Sequence, residues 1–213
     1  MEQIAQLYED TAEDLLWYDI NPDHIWMLDK LILSKKLGYI CGPVGIDVPK
    51  PNWYIVRPCV NAMGLGLGAQ KIWLTKDTTF LPVGHFWCEW FEGDHHSVDY
   101  WPKYGTKAFT IQGIKYSDLD LVQWERWIKV DDREEQIIPK FLFPYILDYD
   151  QINLEYVGDK LIEVHLRPNE DFGEGKASTE FIPVWQDQKT TPPKGYKYIK
   201  YPEYNGRIGA FIK

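Results

Sequence analysis

Two short stretches near the middle of the second half alternate apolar and polar residues: Ile152-Asn153-Leu154-Glu155-Tyr156 and Leu161-Ile162-Glu163-Val164-His165-Leu166-Arg167. A period of two predicts strands with one face for a core and one for polar chemistry. Gly158-Asp159-Lys160 between them reads as a hairpin turn. A two-residue loop would put Glu155 on the face of Ile162 and Val164. A three-residue loop gathers Asn153, Glu155, Glu163, His165 and Arg167 on one face and Ile152, Leu154, Tyr156, Ile162, Val164 and Leu166 on the other. A slip of one residue turns a strand over, so the apolar pattern selects the odd-length loop.

Elsewhere the pattern is mixed. Ile4, Leu7, Tyr8, Ala12, Leu15 and Leu16 fall at helical spacing and predict a short helix within 2–18. Asn21-Pro22-Asp23 has the signals of a helix start, His24 to Leu37 continues it, and Gly38 ends it. On that helix Lys30, Lys35 and Lys36 are expected on the solvated face, and His24 at the surface. Residues 39–52 are rich in Gly and Pro and predict a loop. Trp53 to Pro58 reads as a strand, Asn61 to Gly68 as a glycine-rich loop, and Ala69 to Leu74 as a second strand. Phe86 to Phe91 reads as a buried strand, Gly93 as a turn and His96 to Tyr100 as a return strand. Thr110 to Tyr116 and Leu121 to Val130 predict further antiparallel strands. Glu134 to Leu147 has helical spacing interrupted by Pro139 and Pro144. In the tail, 181–185 and 207–212 read as short strands.

Composition narrows the function. The 213 residues are enough for one compact domain or two small lobes sharing a cleft, and 45% are hydrophobic. The formal net charge of −9 disfavours nonspecific binding to nucleic acid or anionic membranes. Lys194, Lys197 and Lys200 lie among tyrosines, yet one short basic patch in an acidic chain is more often merely solvated. Cys41, Cys59 and Cys88 are widely spaced and fit reduced thiols of a cytoplasmic protein. No apolar run has the length of a membrane span, and Met1 is followed by an acidic polar segment rather than a signal peptide.

The hairpin face carries the candidate chemistry. Two carboxylates side by side repel unless one takes a proton or a divalent cation joins them. Arg167 on the same face suits a phosphate. The plainer alternative is an exposed sheet face of mixed charge. His85, Cys88, His95 and His96 match no common zinc spacing, and adjacent strand residues face opposite ways. Glycine at every second position of 64–68 lets backbone N–H groups approach phosphate oxygens, although no Walker or dinucleotide spacing is present.

Three motifs in order resemble the ATP-grasp superfamily, most nearly its carbamoyl-phosphate synthetase type. They are Ile55-Val56-Arg57-Pro58 with Met63-Gly64-x-Gly66-x-Gly68; Cys88-Glu89-Trp90-Phe91-x-Gly93-x-His95-x-Ser97-Val98-Asp99; and Asn153-x-Glu155 with Glu163-Val164-His165-Leu166-Arg167-Pro168. Together they span Trp53 to Asn169. The resemblance implies an α+β, two-lobed domain of antiparallel sheets and helices with a nucleotide between them. Its small lobe would be about 20–85, its C-terminal lobe about 86–170, and 171–213 a wrapping tail. It also implies ATP as cofactor, with Arg57 and the backbone of Gly64, Gly66 and Gly68 on its phosphates. The backbone of Glu89 and Phe91 would meet adenine, and His95 would meet ribose. Glu155, Glu163 and His165 would hold Mg2+, and Arg167 would act catalytically on the transferred phosphoryl group. The implied reaction is activation of a carboxylate by ATP followed by attack of an amine, by positioning and electrostatics rather than a protein nucleophile. A nucleotide-binding module of the same fold without catalysis is the alternative. His165 stands where the family usually has Asn, which shifts the metal preference toward Mn2+, and His95 stands where a Glu is usual. The N-terminal substrate domain of most members is expected to be missing, so that loops, a second subunit or a partner protein would supply substrate contacts.

Overall fold

The computed structural model describes residues 20–60, 66–116, 121, 123–131, 136–169, 178–204 and 206–213. The helix expected within 2–18, and Gly64 and its neighbours in 61–65, lie outside these residues. The architecture is α+β, with two antiparallel sheets and few helices.

The smaller sheet is made of β1 (Cys41–Pro43), β2 (Asn52–Pro58), β3 (Gln70–Leu74) and β4 (His85–Glu89), in the order β1-β4-β2-β3. The stretch expected to be only a loop after Gly38 contributes β1, which pairs with β4. One face of this sheet packs Tyr54, Val56, Leu74 and Trp87 against Val48 and Leu81. Alternation along β2 turns Trp53, Ile55 and Arg57 to the other face. The expected strand, glycine loop and strand form the antiparallel pair β2–β3.

The larger sheet contains β5 (His95–Trp101), β6 (Thr106–Lys115), β7 (Trp124–Lys129), β8 (Ile152–Val157), β9 (Lys160–His165), β10 (Glu180–Trp185), β11 (Lys197–Tyr204) and β12 (Arg207–Ile212). Its order is β11-β12-β10-β7-β6-β5-β8-β9, with antiparallel neighbours. The strand expected to return after Gly93 therefore does not pair with β4. Residues 90–94 cross from one sheet to the other. The tail does not merely wrap: β10 pairs with both β7 and β12, and Phe181 and Ala210 share a core with Ile111 and Trp127.

Two helical expectations change. The helix from Pro22 is a 3-10 helix over Pro22–Leu28, interrupted at Asp29, and then α1 over Lys30–Lys36. The interruption has a local cause: Asp29 is extended and its carboxylate caps α1 by accepting the Ile32 N–H at 2.9 Å. Among the described residues, the segment expected to be helical up to Leu147 holds a 3-10 turn over Lys140–Leu142 and α2 over Phe143–Ile146. Pro139 and Pro144 fall just before or at the start of these turns, where a missing N–H costs least.

Met27, Leu33, Leu142 and Ile146 pack on Val98, Leu154, Val164 and Leu166, which forms the main core. Two polar residues join this region against expectation. His24 is buried, with Nδ1 hydrogen bonded to the Tyr149 hydroxyl at 3.0 Å. Lys30 is 5% exposed rather than solvated. Among the described residues no helix is long and apolar enough to cross a membrane.

Candidate functional site

The hairpin places the acidic pair face to face by a route other than the expected one. Val157 pairs with Lys160, so the turn is the two residues Gly158-Asp159, not three. Gly158 has φ +59°, as a tight two-residue hairpin turn requires. The register then shifts, with Tyr156 opposite Leu161 but Glu155 opposite Glu163. Ile162 is the extra residue of a bulge. The bulge restores the odd count that a three-residue loop would have supplied. Leu161 rather than Ile162 joins the core with Val164 and Leu166. Asn153 faces His165 in the next pair.

The polar face continues onto β5, where Ser97 pairs with Glu155 and Asp99 with Asn153. The Asn153 amide nitrogen donates to Ser97 Oγ at 2.8 Å and to Asp99 Oδ1 at 2.9 Å. Asn169 donates its backbone N–H to Asp99 Oδ1 and its side-chain amide to Ser97 Oγ, both at 2.9 Å. This buried net fixes the chain just beyond Arg167, whose Nη1 donates to Pro168 O at 3.0 Å.

Glu155, Glu163 and His165 bring one donor atom each to within 4.8 Å of one another. His165 Nε2 lies 3.7 Å from Glu155 Oε1 and 3.6 Å from Glu163 Oε1. His95, placed by the resemblance at a ribose, instead reaches this cluster, with Nε2 3.1 Å from Glu155 Oε2. Its ring stands edge-on to Trp124 and Trp127, at centroid distances of 4.8 and 5.5 Å. Burial works to raise the Glu155 carboxyl, but hydrogen bonds from His165 and His95, and their charge, outweigh it and hold the group well below its usual range. Two carboxylate oxygens and an imidazole nitrogen are a donor set that suits a divalent cation, with more tolerance for Mn2+ than an all-oxygen set has. His95 on Glu155 is the kind of outer hydrogen bond that orients a ligating carboxylate.

Two cations close on Glu163. Lys30 Nζ, from α1, is 3.2 Å from Glu163 Oε1. Arg57 Nη1, from the end of β2, is 3.8 Å from Glu163 Oε2, and its Nη2 donates to Ile162 O at 2.7 Å. Arg57 is 9% exposed, and its Nε has no hydrogen-bond acceptor among the described residues. The small sheet, α1 and the large sheet thus meet at one carboxylate. Burial lowers the pKa of Lys30, against the opposing pull of Glu163. Lys30 is not legible in the sequence, because a helical pattern shows that a position is polar, not which strand supplies its counter-ion.

The remaining residues expected at the site lie on several elements. Gly66 and Gly68 have positive φ of 68° and 79°. A Cβ at Gly66 would lie 3.0 Å from Leu121 O, so this end of the glycine loop reaches the β6–β7 connection. The Glu89 N–H is already donated to Ile40 O at 2.9 Å, and the Glu89 side chain accepts the Ile40 N–H. That leaves this N–H closed to a base. Phe91 stands edge-on to Tyr39 with centroids 4.7 Å apart. Lys71 Nζ lies 4.1 Å from the Trp90 ring centroid, and Lys115 approaches both Trp90 and Trp124, which links the small sheet to the large one.

No protein-family model and no curated protein matches the chain. Among solved structures it is similar to an ATP-grasp superfamily protein from Archaeoglobus fulgidus, at 13% identity and TM-score 0.49 over 88% of this chain. It is similar to the ATP-grasp ligase PsnB complexed with minimal precursor, at 14% and 0.45 over 73%. It is also similar to an L-amino acid ligase from Bacillus licheniformis, at 11% and 0.46 over 87%. The chain spans 64%, 56% and 66% of the lengths of these three.

Proposed function

We propose that the protein is an ATP- and Mg2+-dependent ligase that activates a carboxylate as an acyl phosphate for attack by an amine. The observation that carries this reading is the facing pair Glu155–Glu163 with His165 beside it, reached from the small sheet by Arg57. Glu155, Glu163 and His165 would hold the cation, and when bound it would neutralise charge on ATP phosphates. Arg57 and the glycine backbone at Gly66 and Gly68 would bind phosphate oxygens. Arg167 would stabilise charge that develops on the transferred group, its segment held by the Ser97–Asp99–Asn153–Asn169 net. No side-chain nucleophile is required. The co-substrates are a small-molecule or peptide carboxylate and an amine, bound by this chain's loops or with a second subunit or partner protein.

A non-catalytic nucleotide-binding module is the second reading. What favours it is that Lys30 and Arg57 already neutralise Glu163. ADP release against a panel of carboxylates, amines and both together separates the two. The ligase reading expects sustained ADP release only when both co-substrates are present, and at most one ADP per site with the carboxylate alone. It also expects Arg167→Ala to retain ATP affinity while turnover falls roughly a hundred- to a thousand-fold. Tight ATP binding without turnover under every condition, with Mg2+ and with Mn2+, makes the protein a binding module.

A further inference from the structure

Lys30 and Arg57 both hold Glu163, and Glu163 also belongs to the donor set that suits a divalent cation. One carboxylate cannot serve both roles fully. A cation that takes Glu163 must weaken its bonds to Lys30 Nζ and Arg57 Nη1, and those two charges are buried. A buried charge that loses its partner is costly, so it needs another anion within reach. The converse also holds. An anionic ligand that draws Lys30 and Arg57 away takes both of these positive charges from Glu163, which faces Glu155, and two neighbouring carboxylates then favour a cation. Among the described residues, the fixed charges at the centre are Glu155 and Glu163 against Lys30 and Arg57, with His95 and His165 between them. A divalent cation alone adds positive charge beside Lys30 and Arg57, a polyphosphate alone adds negative charge beside Glu155 and Glu163, and the two together offset one another in part. Arg57 Nε, buried and without an acceptor among the described residues, is a donor that a phosphate oxygen could satisfy.

We infer that Glu163 is an exchange point: it is held by Lys30 and Arg57, and the divalent cation and the nucleotide's phosphates bind as a pair, the cation taking Glu163 as the phosphates take the two basic side chains. This rests on the proposed nucleotide site but does not require catalysis. The coupling is reciprocal, because linkage makes each ligand tighten the other by the same factor. It disfavours metal-free nucleotide.

Titration calorimetry on the full chain tests it with Mg2+ alone, ATP in excess EDTA, and ATP over a series of buffered free Mg2+ concentrations. After allowance for the complex of ATP and Mg2+ in solution, each ligand should bind at least about five-fold more tightly in the presence of the other. Two substitutions give changes of opposite sign. Lys30→Met removes a competitor for Glu163, so Mg2+ alone should bind more tightly while ATP with Mg2+ binds less tightly. Glu163→Gln releases the two basic groups, so ATP in EDTA should bind more tightly while the gain from Mg2+ disappears. Circular dichroism establishes that each variant is folded, and either variant alone suffices. Equal affinities for each ligand with and without the other would overturn the exchange and leave the nucleotide site standing. A Lys30→Met variant that binds Mg2+ alone less tightly than the wild type would overturn it as well. If no combination binds to the wild type, the proposed function and the exchange fall together.

Discussion

At the scale of single residues, Glu155 is held between opposing electrostatic effects. Desolvation favours its protonated form, and the two imidazoles that bond to it favour the charged form and win, so its pKa is depressed. The consequence for stability has a definite sign. As pH falls below the ordinary glutamate value of 4.5, the unfolded chain takes up a proton at this position while the folded chain resists it. The stabilisation is therefore present above about 4.5 and is lost as pH falls toward the depressed value. Glu155→Gln removes the titrating group. Its urea midpoint should depend less steeply on pH between about 5 and 3 than the wild type's does. Identical slopes would mean that the imidazoles do not hold Glu155 as described. Arg57 has a related lesson. The resemblance puts it on ATP phosphates, yet it is tied to Glu163 and Ile162, partners no local pattern could reveal.

At the scale of elements, the hairpin decides whether there is a site. The alternation of β8 and β9 was legible, and so was the conclusion that Glu155 and Glu163 share a face. How the parity is achieved was not. A bulge and an extra loop residue have the same effect on every side chain beyond them, so the apolar pattern cannot tell them apart. The turn is also braced from outside. The Gly158 N–H donates to Asp94 O at 2.9 Å, and Gly93 sits against it at φ +131°. A Cβ at Gly93 would lie 2.9 Å from Gly158 N and 3.0 Å from its Cα, both backbone atoms that cannot turn aside. Gly93→Ala should lower stability by about 1–3 kcal/mol in chemical denaturation, from the unfavourable φ and the contact together. An unchanged midpoint would show that the crossover does not brace the hairpin. The crossover itself illustrates where period-two reading stops. Strands β4 and β5 flank a glycine as a hairpin would, but the strand pattern carries no information about which sheet each one joins. The helix expected from Pro22 failed for a related reason, since Asp29 is both acceptable inside a helix and a strong cap for a new one.

At the scale of the whole molecule, the site exists only because distant parts of the chain converge. Lys30 comes from α1, Arg57 from the small sheet, His95 from the strand just after the crossover, and Glu155, Glu163 and His165 from the edge hairpin of the large sheet. The three motifs that resemble the ATP-grasp superfamily are the segments that deliver most of these groups. Lys30 lies outside them, and so does the tail, which completes the far side of the large sheet through β10. If, as proposed, this convergence holds a divalent cation together with nucleotide phosphates, bound Mn2+ reports on it. Electron paramagnetic resonance of Mn2+ bound to the full chain with ATP should reveal coupling to a protein 14N nucleus, from the His165 imidazole. A His165→Asn variant, checked for folding, should lose that coupling while still binding Mn2+ with ATP through the two carboxylates. Protein-bound Mn2+ without nitrogen coupling in the wild type, or coupling that survives in His165→Asn, would contradict the site as drawn.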